Sequence, residues 1–254
     1  MSGAVIALLT AAIFVTSLIS GMFGMAGGLI LMSVMLTILP LATAVVLQSS
    51  IQLVSNLWRC ILWRRHIVWH VLPWYLLGIA SGVTLMLMIQ YVPDKNAAFL
   101  MMGTLPLLSM ALGSRVRLHI ENPYHTVPVA ACLTFVHLTA GVVGPLLDLL
   151  YVNAAFTRQQ IIATKAFNAS VMHVVRLGYY GVFLYLTGRE GGWPENLDPH
   201  WMPLLLAASV LGTTTAAWFV HRMTDDHFKS ISRMLVALVS LYCLFRGIAG
   251  YFML

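Results

Sequence analysis

Two sets of polar residues in this chain combine chemistry with helical spacing. Ser49, Gln52 and Asn56 recur three to four residues apart, as do Lys165, Asn168, Met172 and Arg176, so each set falls on one side of a helix. Hydroxyl and amide groups hydrogen-bond oxyanion oxygens without adding charge, and a lysine supplies a point charge. The glycine-rich runs Ser20-Gly21-Met22-Phe23-Gly24-Met25-Ala26-Gly27-Gly28 and Gly141-Val142-Val143-Gly144-Pro145 add a second kind of anion chemistry. Where a helix starts inside a membrane its free N–H groups carry the positive end of the dipole, and glycine lets a ligand approach that backbone closely. The candidate substrate contacts are therefore Gly24, Gly27, Gly28, Ser49, Gln52, Gly141, Gly144, Lys165 and Asn168. Close helix packing through small residues and hydrogen bonds between helices account for the same residues without a ligand.

Asp148 is the acid that lies well inside an apolar stretch, three residues after Pro145, where it either stabilises a helix dipole or takes part in coupling. His137 and His173 are candidates for proton relay, because imidazole titrates near neutral pH; a satisfied structural histidine is the plainer reading of each. Lys165 is expected to supply the main fixed positive charge, with either Asp148 or a bound anion as its partner and snorkelling back to the cytoplasmic headgroups as the alternative without a ligand, whereas Arg176 on the same face suits an acid or a carbonyl. Arg246 can snorkel from the last span. An enzyme or haem protein should show convergent nucleophile and base, or metal-ligand spacing. His66 and His70 sit in an Arg-rich loop, no His-Glu-x-x-His pattern occurs, and Cys60, Cys132 and Cys243 are scattered singly in apolar segments. No enzyme activity, cofactor or metal is expected.

The elements that must position these groups belong to a membrane protein. Charged residues are 9% of the 254 and apolar ones 60%, which leaves a soluble globule without a polar surface. Charge-poor stretches at Thr43–Trp63, Val71–Val92, Ala97–Leu112, Ile161–Leu186, Met202–Val220 and Met234–Leu254 are long enough to cross a bilayer. Gly3–Leu39 has no basic n-region or small-residue cleavage site and reads as part of the mature chain. As one straight helix it would run about 55 Å against a hydrocarbon core of about 30 Å, so it must break, and the glycine run is where. Thr126–Phe156 breaks likewise before Pro145, a residue suited to the first turn of a new helix.

The net charge of +6 sits singly or in pairs at the ends of apolar spans, which marks topology rather than nucleic-acid binding. Arg64, Arg65, Arg115, Arg117, Arg158, Arg222, Lys229 and Arg233 should face the cytoplasm, and the loops at Asp94–Lys95 and Arg189–Asp198 the outside. The chain then leaves and re-enters the cytoplasm between Arg117 and Arg158, which makes the second broken segment a re-entrant hairpin, and the first one by analogy a hairpin from outside. The expected fold is an all-α polytopic membrane protein in a single domain, residues 1–254. It comprises two inverted repeats, about 1–117 and 118–254, each a glycine-broken hairpin plus about three transmembrane helices, with both termini outside. Gly21-x-x-Gly24 matches Gly141-x-x-Gly144. Val45–Gln52 can be laid on Ile161–Asn168, which pairs Ser49 with Lys165 and Gln52 with Asn168. A non-transporting scaffold would not need polar stripes at matched depth.

From Gly21 to Gly28 the chain resembles the sulfite exporter family, TauE/SafE, over nearly its whole length. The resemblance is also carried by the hairpin-like repeat at Gly141–Gly144 and by Ala163-Thr164-Lys165-Ala166. Ala26 stands in place of a third consecutive glycine, Ser33 in place of a usual proline, and Pro145 and Asp148 are unusual for the second half. The resemblance implies a bacterial inner-membrane permease that exports sulfite, sulfoacetate or a similar organosulfonate, driven by the proton gradient or the membrane potential. Its partners would be a small anionic substrate, membrane lipids and coupling protons. Uptake of another small anion or sulfur compound is the alternative; a membrane scaffold or haem-binding protein is the remote one.

Overall fold

The computed structural model describes residues 3–23, 26–113, 115–116, 118–141, 144–151, 153–183, 186, 198–220 and 225–252. Ten α-helices run through the described residues: α1 Gly3–Phe23, α2 Ala26–Ile38, α3 Leu41–Leu62, α4 Leu72–Ile89, α5 Lys95–Leu112, α6 Pro123–Ala140, α7 Gly144–Tyr151, α8 Arg158–Gly178, α9 Met202–Val220 and α10 Asp225–Phe252. The chain is all-helical, as its composition requires of a protein whose backbone must satisfy its own hydrogen bonds in lipid.

Both glycine runs interrupt the helix where expected. α1 ends at Phe23 and α2 starts at Ala26, while α6 ends at Ala140, Gly141 turns the chain with φ 77°, and α7 starts at Gly144. The arms are unequal. α1 has 21 residues, about 31 Å, and is itself long and apolar enough to cross a membrane; α2 has 13, about 20 Å. α6 has 18 residues and α7 only 8.

The two hairpins open at opposite ends of the bundle. At the start of α5, Lys95 Nζ donates to the Leu39 carbonyl just beyond α2. Past the other end of α5, Ile120 N–H donates to the Leu150 carbonyl in α7, and Asn153 Nδ2 to the Leu118 carbonyl. The 18 residues of α5, about 27 Å, separate the two sets. Tyr251, near the end of α10, bonds the Asp94 carboxylate and so lies at the Lys95 end.

Among the described residues, five segments qualify as membrane spans by length and hydropathy: Gly3–Met22, Trp69–Ile89, Lys95–Leu112, Pro199–Phe219 and Arg233–Phe252. α3 and α8, which the sequence also marks as crossings, are not among them. They carry the polar stripes and pack on each other along their lengths, so their polar faces meet protein rather than lipid. Their contacts run in opposite order, from Gln48 with Arg176 to Cys60 with Ser170, and the helices are antiparallel. The expected crossing Ile161–Leu186 begins earlier, at Arg158 behind a Thr157–Gln160 capping box, and gives way after Gly178 to a π turn at Tyr179–Phe183.

Two apolar cores flank this central pair. One joins α1, α2, α3 and α5 through Leu9, Leu29, Met35, Leu47 and Phe99; the other joins α4, α6, α7 and α8 through Tyr75, Leu133, Leu150 and Met172. Exposed Leu77, Leu85, Leu211, Leu238 and Phe245 cover the outside with the surface a bilayer would solvate. Close approach of α5 to α10 depends on Gly103, where a Cβ would stand 2.7 Å from the Leu244 nitrogen and 2.8 Å from the Ser240 carbonyl.

Candidate functional site

The polar faces of α3 and α8 meet the hairpin breaks at one partly open cavity of about 40 Å³. Gln48, Gln52, Asn56 and Arg59 reach it from α3, at helical steps of four, four and three. Ala169, Met172 and His173 reach it from α8, and His137 and Gly141 from the end of α6. Ser20 at the end of α1, Gly28 at the start of α2 and Gly144 at the start of α7 complete the wall. Both breaks thus contribute an outgoing and an incoming helix end to the same space. A side chain at Gly28 would point into it, its Cβ 3.1 Å from Gln52 Nε2.

Arg59 lines the cavity and is 7% exposed. Its Nη1 donates to Asn56 Oδ1 over 3.2 Å and its Nη2 to Ser20 Oγ over 3.4 Å, while Asn56 Nδ2 donates to the Gln52 carbonyl. Arg176, wholly buried, lies directly behind Gly141. Its Nη1 donates to Gln48 Oε1 over 2.9 Å and reaches the Gly141 carbonyl at 3.5 Å, and its guanidinium stands 5.8 Å from the centroid of the Tyr180 ring. Each arginine therefore meets the last turn of a hairpin's first helix, where unsatisfied carbonyls carry the negative end of the dipole. Arg176 Nε and Nη2 find no partner among the described residues.

His137 and His173 face each other edge to face, ring centroids 4.8 Å apart. Both nitrogens of His137 and Nδ1 of His173 are buried without a hydrogen-bond partner. No carboxylate is among the described lining residues. A buried guanidinium with no counter-charge costs several kcal/mol.

The residues singled out from the sequence divide accordingly. Gly28, Gln52, Gly141, Gly144, His137 and His173 come together at the cavity. Gly27 lies in the α1–α2 contact, where a Cβ would clash with the Thr16 carbonyl and Ser20. Ser49 and Asn168 are fully buried but do not line the cavity; Asn168 Nδ2 donates to the Tyr151 hydroxyl. Lys165 forms an ion pair with Asp148 away from the lining, its side chain 14% exposed against 50% for the acid. Gly24 lies outside the described residues. Gln48 and Arg59 escaped sequence reasoning, although both continue the Gln52–Asn56 stripe by one helical step in either direction. Arg59 is also the first charge in the chain, and its place inside Thr43–Trp63 was the available signal.

An all-helical bundle with five described helices long and apolar enough to cross a membrane, and two broken hairpins around a cavity lined by Arg59, has the architecture of a multi-pass membrane protein. The sequence model of the family described as Sulfite exporter TauE/SafE matches residues 9–243, and the chain belongs to that family. It is a family of transporters rather than enzymes, and membership implies membrane transport of sulfur anions such as sulfite. Comparison with curated proteins and with solved structures gave no match.

Proposed function

We propose that the protein exports a small sulfur oxyanion across a bacterial inner membrane by alternating access, binding it in the cavity between the two hairpin breaks. The observation that carries this reading is the buried Arg176, whose Nε and Nη2 have no partner among the described residues, set beside a cavity that Arg59 lines and no described carboxylate enters. Arg59 and Arg176 supply the charge, and Gln52 and the ends of α2 and α7 supply neutral donors. A volume of about 40 Å³ corresponds to a few water-sized sites, which suits sulfite better than the longer sulfoacetate.

Two related, inverted halves explain the symmetry of the site. Exchanging α1 with α6, α2 with α7, α3 with α8, α4 with α9 and α5 with α10 maps the α1–α9 contact onto α6–α4 and the α2–α10 contact onto α7–α5. It leaves α3–α8 and α5–α10 as self-pairs. Such an arrangement supports rocking of one half against the other around a fixed site.

The test is flux into proteoliposomes with sulfite, sulfoacetate, sulfate and a carboxylate analogue. Saturable sulfite flux that Arg59→Gln and Arg176→Gln each reduce at least tenfold is expected. Sulfite flux no faster than in empty liposomes would overturn the proposal, and a carboxylate preference would redirect it to uptake or export of another anion.

A further inference from the structure

Two imidazoles stand in the cavity wall, and anion binding by arginines and amides gives them nothing to do. His137 comes from α6 and His173 from α8, their rings 4.8 Å apart, and three of their four nitrogens lack a hydrogen-bond partner among the described residues. The groups that face them are few. α8 presents Arg176, α3 presents Arg59 and the neutral Gln48, Gln52 and Asn56, α1 presents Ser20, and α2 and α7 present only Gly28 and Gly144. Tyr180 spends its hydroxyl on the Leu138 carbonyl, and Asp148 is paired with Lys165 away from the lining. Every fixed charge near the pair among the described residues is positive. An imidazolium formed there has a counter-charge only when an oxyanion occupies the cavity, so proton and anion must favour each other's binding.

We propose that the His137–His173 pair is the proton site of this transporter, taking up one proton from water as a sulfur oxyanion binds and releasing it to water as the anion leaves. The inference rests on the anion-carrier reading above. The proton adds to a ring-nitrogen lone pair and departs from it, so no bond is made or broken on the anion. A dianion accompanied by one proton still carries one negative charge, which an inside-negative membrane potential drives outward.

The experiment uses the full chain in lipid nanodiscs and sodium sulfite as the probe. Binding heats are measured in two buffers of different ionisation enthalpy, at a pH where free sulfite is fully deprotonated. Wild type is expected to take up protons as sulfite binds, a fraction up to one per sulfite, with affinity rising as pH falls by at most about tenfold per unit; His137→Gln with His173→Gln is expected to bind sulfite without that uptake. Uptake that persists in the double variant places the proton on the anion and overturns the proposal, as does wild-type binding without proton uptake. If the variants do not fold, ¹⁵N-histidine labelling of wild type decides: sulfite should move a buried resonance to the imidazolium position, and unchanged histidine spectra at saturating sulfite overturn the proposal. Absence of any sulfite binding by wild type overturns the anion-carrier reading itself, a result distinct from binding without a proton.

Discussion

Arg176 on α8 donates through Nη1 to Gln48 Oε1 on α3 over 2.9 Å, a buried contact that joins the two halves of the chain at the cavity wall. Gln48 is 1% exposed and Arg176 fully buried, so this neutral amide holds a cation without neutralising it. A carboxylate in the same position would end that condition.

Gln48→Glu is therefore expected to fold with an unchanged or higher melting temperature, because the guanidinium gains a counter-charge, while sulfite affinity falls at least about tenfold, or about 1.4 kcal/mol. Thermal unfolding with and without sulfite measures both. Wild-type stabilisation by sulfite in this variant would remove Arg176 from the site.

Gly141 and Gly28 should respond differently to alanine. At Gly141, φ is 77° and a Cβ would overlap the Arg176 guanidinium, so Gly141→Ala should lose about 1–2 kcal/mol of stability to backbone strain alone and sulfite binding with it. At Gly28 the nearest atom to a Cβ is the mobile amide of Gln52 at 3.1 Å, so Gly28→Ala should melt near wild type and show weaker sulfite binding. Melting temperatures and titrations on the two variants check this; equal melting temperatures would contradict the strain at Gly141.

The Lys165–Asp148 pair is placed to link α8 to α7, and the half-exposed acid limits what it contributes. A double-mutant cycle with Lys165→Met and Asp148→Asn should give a coupling of about 1 kcal/mol or less, with sulfite affinity within about threefold of wild type in each variant. Loss of sulfite binding in Lys165→Met alone would restore the lysine as the principal anion contact.

Topology follows from which groups share an end of the bundle. Asp94, Lys95 and Tyr251 lie together, and His70 Nε2 lies 3.6 Å from Glu121 at the other end, where the connections before α4 and after α5 carry Arg64, Arg65 and Arg115. In a background lacking Cys60, Cys132 and Cys243, Asp94→Cys should react with an impermeant maleimide on intact cells and Glu121→Cys only after permeabilisation. The opposite labelling pattern would invert the assignment of both termini to the outside.

The chain's composition and hydropathy determined by themselves that it is an all-helical membrane protein, because a bilayer tolerates only apolar, internally hydrogen-bonded segments. The glycine runs determined where both hairpins break, since the loss of helix propensity at Gly21–Gly28 and Gly141–Pro145 is local. Helical periodicity also determined that Gln52 and Asn56 share a face, and so do Asn168 and Arg176. It did not determine what that face meets. Hydropathy averaged over α3 and α8 cannot distinguish a polar stripe toward lipid from one toward a cavity. The direction is set by the packing of α3 on α8, residues more than 100 positions apart, as with Arg176 and Gln48. The same packing brought Arg59 to Ser20, His137 to His173, and Lys165 to Asp148 instead of to the cavity. Charges within one stripe look equivalent along a helix. A shift of one turn or a rotation of one residue step decides whether a side chain lines a cavity or pairs beside it, and only the assembled bundle sets that rotation.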